Sequence, residues 1–215
     1  DVSALMDGGN YVGYYAVHRA CEMTIAKAKK NKFAVVGMFN SHMSGRNSYY
    51  VEMLVRAGLV GIHLASASPL VAPLGGTQPL LGTNPFCIGV PTKRGPVIWD
   101  IGTASIMLGE LILRSRVGES IEPGLAIDAS GKSTTDPAAA LKGGAVLPWG
   151  GHRGYGLSFM IQTLGLLAGE FCQHRPGGGH VDGHRLLGPV VDSGILGAVI
   201  LPDRKSTRLN SSHLG

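Results

Sequence analysis

The run KFAVVGMFNSHMSGRNSYYVEMLVRAGLVGIHLA, Lys32 to Ala65, decides how the chain is read. Phe33–Phe39 is a continuous apolar stretch with the character of a buried strand. Asn40 to Arg46 is polar and reads as a loop. Tyr49–Ala57 then carries a helical period that stops at Gly58, a residue free to take the positive φ that ends helices. Leu59–Leu64 makes the next short strand. Strand, loop, helix, strand is an α/β alternation, and the expected fold class is α/β, a mixed sheet with flanking helices.

Upstream, turn chemistry is expected around Gly8-Gly9-Asn10. Tyr15–Lys30 shows a helical stripe of Val17, Cys21, Ile25 and Ala28, with His18, Arg19, Glu22 and Lys29 largely off it. His18 is most simply a surface residue, and Asn31 closes the helix. Downstream, residues 65–99 are crowded with proline and glycine and have no helical period. They read as an extended excursion ending in a strand through Val97-Ile98-Trp99. Asp100 follows, then Gly102-Thr103-Ala104-Ser105 at a helix start and a helix over Ile106–Arg114. An acid in that place serves either a ligand or a helix N-terminus. Gly124–Asp128 reads as a short strand, and Thr135 or Asp136 caps a short helix with Pro137 at its first position.

Near the C-terminal end, glycines at 150, 151, 154 and 156 bracket His152 and Arg153 ahead of an apolar helix over 157–168. A glycine-rich turn at a helix start, with a cation beside it, can hold an anion; it can equally be a packing turn. His174, His180 and His184 lie in a Gly-Pro-rich loop without metal-ligand register, so no metal site is expected. Val190–Leu201 reads as a strand.

Among 215 residues, 44% are hydrophobic and 15% charged, which is globular rather than disordered. No apolar run is long enough to span a bilayer, so no membrane association is expected. The net charge of +5 comes partly from Lys27, Lys29, Lys30 and Lys32 at a helix end and partly from the tail. That pattern indicates a solvated helix terminus and no nucleic-acid partner. The three cysteines are scattered, consistent with reduced thiols and a cytoplasmic setting. The chain divides into a core over 1–202 and an adapter-like, disordered tail over 203–215. It reads as incomplete at both ends.

No nucleophile elbow, zinc signature or paired-acid motif is present. The histidine with the best chemical setting is His42, just after a buried strand and near Asn40, Ser41, Ser44 and Arg46. A titrating imidazole there would have polar partners and a nearby cation for a carboxylate.

Five motifs occur in order: NSHMSGRNSYYVEMLVRAGLVGIHLASASP, VAPLGGTQPLLGTNPF, WDIGTAS, STTDP and LPWGGHRGYGL. Together they resemble the malate/L-lactate dehydrogenase family, whose relatives include ureidoglycolate and sulfolactate dehydrogenases and cyclic imino-acid enzymes. The resemblance covers nearly all of residues 1–202. It implies a non-Rossmann fold, NAD or NADP as cofactor, a homodimer, and hydride transfer between nicotinamide and a small 2-hydroxy or 2-oxo acid.

By position, Asp100, Ile101 and Gly102 match the family's cofactor-contacting turn. Arg153 stands where relatives often carry lysine and would face the cofactor's anionic part with a different donor geometry. Ala67 replaces a cofactor-contacting serine. Thr83 and Asn84 match a substrate-side turn. The family's general-base histidine aligns with Met43, which cannot take a proton, so His42 could serve only with its ring turned inward. The parent is therefore expected to be a dehydrogenase and this stretch alone inactive. The other readings are a nucleotide-binding protein without redox chemistry, and a structural piece whose helix at 157–168 packs on a partner.

Overall fold

The computed structural model describes residues 1–173 and 195–200, with side chains through residue 165. Strand β1 (Ser3–Val12) leads into helix α1 (Gly13–Asn31), strand β2 (Phe33–His42), helix α2 (Asn47–Arg56) and strand β3 (Val60–Ala65). A hairpin of β4 (Phe86–Thr92) and β5 (Gly95–Ile101) follows. Helix α3 (Leu108–Val117) precedes β6 (Ala126–Ile127), β7 (Ser133–Thr134), helix α4 (Pro137–Leu141) and β8 (Ala145–Val146). Helix α5 (His152–Gln173) and strand β9 (Ile195–Ile200) complete the described chain.

The main sheet has the order β1-β2-β9-β3-β4-β5. β1 and β2 are parallel, whereas β9 runs antiparallel to both β2 and β3. The sheet is mixed, with helices packed against it, and its order is not that of a doubly wound dinucleotide fold. A small second sheet, β7-β6-β8, organises residues 126–146.

Helix α1 buries a stripe of small residues (Ala16, Val17, Ala20, Cys21, Thr24 and Ala28) and lies along β2. It ends at Lys32, whose φ of 69° is left-handed and whose N–H donates to Ala28 O at 2.8 Å. Helix α2 sits very close to β3 and β4. A Cβ on Gly61 would lie 2.8 Å from Leu54 Cδ1, and one on Gly89 would lie 2.5 Å from Val51 Cγ1. Glycine at both positions lets the helix approach. A second core, with Val71, Leu81, Ile106, Leu111, Ile121 and Val146, joins the proline-rich excursion to α3 and the small sheet.

The structure revises four boundaries. The expected turn at Gly8-Gly9-Asn10 is an irregularity inside β1, where pairing with β2 shifts between Asp7 and Tyr11 while Gly9 and Asn10 have positive φ. The extended excursion contains a full strand, β4, whose proline-flanked sequence hides its antiparallel pairing with β5. Asp100 falls within β5, and α3 begins at Leu108 instead of Ile106. Helix α5 starts at His152, earlier than the apolar run suggests. Asp136 caps α4 by accepting the Ala138 N–H at 2.8 Å, with Pro137 at the first helical position. His174, His180, His184, the tail 203–215 and all of the expected C-terminal strand except Ile195–Ile200 lie outside the described residues.

Candidate functional site

Three separate stretches of sequence meet at Asn84. Its side chain is fully buried and its backbone has a φ of 29°. Asparagine is among the few non-glycine residues that tolerate positive φ. Oδ1 accepts the Ala67 N–H at 3.0 Å, while Nδ2 donates to Ser158 O at 3.0 Å and to Gln162 Oε1 at 2.9 Å. The Asn84 carbonyl accepts the Thr103 hydroxyl at 3.1 Å. Thr103, also fully buried, donates its N–H and its hydroxyl to Thr83 O at 2.9 and 3.0 Å. Trp149 N–H donates to Thr103 O at 2.9 Å, and the Ser158 hydroxyl donates to Gly82 O at 3.5 Å. The turn at 82–85, the turn at 102–104 and the start of α5 are therefore one bonded unit. Thr83, Asn84, Gly102 and the turn carrying Arg153 all belong to it.

The entry to α5 is built by Gly150 and Gly151, with φ of 59° and 63°. Gly154 is buried, and a Cβ there would collide with the Trp149 carbonyl and come within 2.9 Å of Thr103 O. His152 and Arg153 are exposed in the first turn. Among the described residues Arg153 makes no hydrogen bond or ion pair. Its guanidinium is free to meet an anion at the positive end of the helix dipole.

Asp100 serves a helix N-terminus, though not the one that follows it in sequence. Its Oδ2 accepts the Ser48 N–H at 2.7 Å, so the carboxylate caps α2 across space and does not cap α3. Ile101, half-buried, pairs with Phe86, and Gly102 packs against the Met107 thioether. Beneath α2, His63, Cys87 and Asp100 are consecutive register partners across β3, β4 and β5. Burial pushes the Cys87 thiol up to about 12, with the Asp100 charge adding to it. Burial also pushes Cys21 up to about 12, so both thiols are poor nucleophiles. His63 is buried, with no hydrogen-bond partner on either nitrogen among the described residues; it stacks on Tyr50 at 5.6 Å and is pushed down to about 4 by desolvation.

His42 is the last residue of β2, paired in register with Val12, and not a loop residue. Strand alternation buries Ser41 and leaves His42 exposed. No hydrogen bond or ring contact joins His42 to the Asn84 unit among the described residues. Met43 follows with a φ of 43° and 73% exposure, its sulfur 3.9 Å from the Tyr14 hydroxyl. The loop is held by the Tyr50 hydroxyl, which donates to Ser44 O at 2.5 Å. The cation expected to serve a substrate carboxylate, Arg46, is 3.8 Å from Glu52.

The profile of the malate/L-lactate dehydrogenase family matches residues 1–185. The chain belongs to this family. Over 162 residues it is 45% identical to the L-sulfolactate dehydrogenase of Methanothermobacter thermautotrophicus, covering 75% of this chain and 47% of that protein. It is 39% identical over 173 residues to the malate/(S)-sulfolactate dehydrogenase of Methanothermus fervidus, covering 80% of this chain and 51% of that one. The crystal structure of a dehydrogenase from Sinorhizobium meliloti superposes with a TM-score of 0.79 at 32% identity, covering 94% of this chain and 58% of the other. The chain spans about half the length of the curated relatives it matches.

Within this chain, sequence reasoning missed Thr103, Ser158, Gln162 and Ser48. Each acts through a bond to a residue at least 19 positions away, and a local pattern carries no trace of that. Among the described residues no helix is long and apolar enough to cross a membrane, and no group of three or more His, Cys, Asp or Glu could hold a metal ion.

Proposed function

We propose that the protein, full length as its gene encodes it, is an NAD- or NADP-dependent oxidoreductase acting on a small 2-hydroxy or 2-oxo acid. The observation that carries this reading is the bonded unit of the 82–85 turn, the 102–104 turn and the glycine entry to α5. It is a bonded polar corner with Gly150, His152 and Arg153 exposed at its rim and no ion pair on Arg153 among the described residues, in a chain of this family. The dinucleotide fits the donor set: Arg153 and the first turn of α5 would hold anionic oxygens, and Gly150 and Gly151 let a backbone approach without a Cβ in the way.

When bound, the nicotinamide supplies or accepts the hydride. The chain's own residues orient it and keep Gly102 at a fixed place relative to Arg153 through Thr103 and Trp149. In the oxidation direction the alcohol must also release one proton; His42, next in sequence to the aligned base position, takes it only with its ring turned in from the exposed side it occupies here. Among relatives, the names L-sulfolactate and malate dehydrogenase indicate a short hydroxy acid carrying a second anionic group as the substrate class. A homodimer in the cytoplasm accompanies this reading.

Fluorescence titration of the full-length protein with NADH and NADPH, followed by turnover assays over short 2-oxo acids, tests the proposal. Saturable binding with oxidation of the reduced cofactor is expected; failure to bind either dinucleotide overturns it. One observation favours a second reading, dinucleotide binding without turnover: Met43 occupies the aligned base position. Binding with no turnover on any acid would select that reading, and unchanged turnover in His42→Ala would remove His42 from the proton path.

A further inference from the structure

We infer that Asn84 is a positioning residue for the dinucleotide, and not a substrate ligand. The inference rests on the functional reading above and assigns Asn84 a role opposite to the one its motif suggests. All the hydrogen-bonding capacity of its amide that the structure shows is directed inward. One oxygen takes the Ala67 N–H, and one nitrogen serves Ser158 O and Gln162 Oε1. The side chain is fully buried, so no substrate atom can reach it without first dismantling these bonds.

The amide is chemically required. Its environment presents one donor on one side and two acceptors on the other, and only a group with both an acceptor and a two-proton donor meets all three. A carboxylate of the same shape would set its second oxygen against Ser158 O and Gln162 Oε1. The backbone adds a second demand, because the φ of 29° turns the Asn84 carbonyl toward the Thr103 hydroxyl. A displacement of Asn84 therefore moves Thr103, and with it Gly102 and the Trp149 carbonyl that limits Gly154. The two stretches proposed to grip the dinucleotide both bond to this one residue, Thr103 at its carbonyl and α5 at its amide, in addition to the direct bond from Trp149 N–H to Thr103 O.

The geometry separates two effects that a substrate ligand would combine. Asn84→Asp should weaken NADH or NADPH binding roughly tenfold or more, the scale of one lost buried hydrogen bond, with the KM of the acid changed less than about threefold. Lowering the pH should restore affinity in Asn84→Asp alone, since the protonated carboxyl regains a donor. Thr103→Val keeps the shape, removes only the hydroxyl, and should raise the dinucleotide Kd several-fold; it carries the test if Asn84→Asp does not fold.

These measurements use the full-length protein, with hydrogen exchange at Gly102, Thr103 and Gly154 read in parallel. Faster exchange at these amides in both variants is expected. A rise confined to the acid's KM overturns the inference, as does an unchanged dinucleotide Kd in Thr103→Val. If the parental protein binds no dinucleotide, the functional reading has failed instead. Unchanged exchange at the three amides would then show separately that Asn84 does not register the turns.

Discussion

Of the five described non-glycine residues at positive φ, Asn84 and Met43 have opposite characters. At Asn84 the backbone is left-handed, the side chain is fully buried, and the polar groups are bonded to three other segments. At Met43 the backbone is also left-handed, but the side chain is 73% exposed and touches little beyond the Tyr14 hydroxyl. The first conformation is over-determined by its surroundings. The second is carried by a loop held by the Tyr50 hydroxyl on Ser44 O and by Tyr14 against Met43 and Gly45. Positive φ therefore means architecture in one place and tolerated local strain in the other, and burial with bonding tells them apart.

The comparison breaks most visibly at Asn84. Asn84→Ala should cost about 2–4 kcal/mol in urea unfolding, because it removes three bonds at a fully buried side chain and leaves the part-buried Ala67 N–H and the Ser158 carbonyl without that partner. A cost comparable to that of an exposed substitution would mean that the turn is not the rigid member of the pair.

The next effect sharpens the contrast from beneath α2, beside the exposed loop. His63 is pushed down to about 4 from 6.5 by burial, so the unfolded chain takes up its proton first as the pH falls. Its contribution is fully present above pH 6.5 and drains away between there and about pH 4, on the order of 1 kcal/mol per pH unit at most. His63→Phe should keep the stack on Tyr50, flatten that slope and leave neutral-pH stability little changed. Urea midpoints at a series of pH values check it, and an unaltered slope would remove His63 as its source.

Asp100→Ala should cost about 1 kcal/mol by freeing the α2 N-terminus. Asp100→Asn, which keeps an acceptor oxygen, should recover most of that. Thermal melts of the pair separate capping from a purely electrostatic effect. The smallest change is expected at Met43. Met43→Gly relieves the positive φ and should raise stability by no more than about 1 kcal/mol, because the gain is partly offset by the unfolded chain's freedom. A marked loss on that substitution would show that the loop is held by the methionine side chain after all.

Much of the frame was legible locally. Gly58 stops α2 as expected, at a φ of 82°, and Asp136-Pro137 opens α4 through a bond made two residues away. The stripe Val17, Cys21, Ala28 faces inward as its spacing requires. β4 was not legible, because FCIGVPT gains its identity from pairing with β5 and lies among prolines that suggest a coil. The site was half-legible. Its segments announced themselves by glycine, acid and TNP motifs, yet the partners that join them, Thr103, Ser158 and Gln162, are ordinary residues in ordinary contexts.

The sequence by itself determined the α/β alternation, the helix stops and the family, since these rest on side-chain periodicity, backbone freedom and ordered motifs within short windows. Only the tertiary structure decided that Asp100 caps α2, that His42 ends a strand with its ring outward, and that Asn84 turns its amide inward. A hydrogen bond between residues 78 positions apart, such as that from Asn84 to Gln162, depends on where the fold brings two groups. Neither residue type nor local spacing encodes that distance.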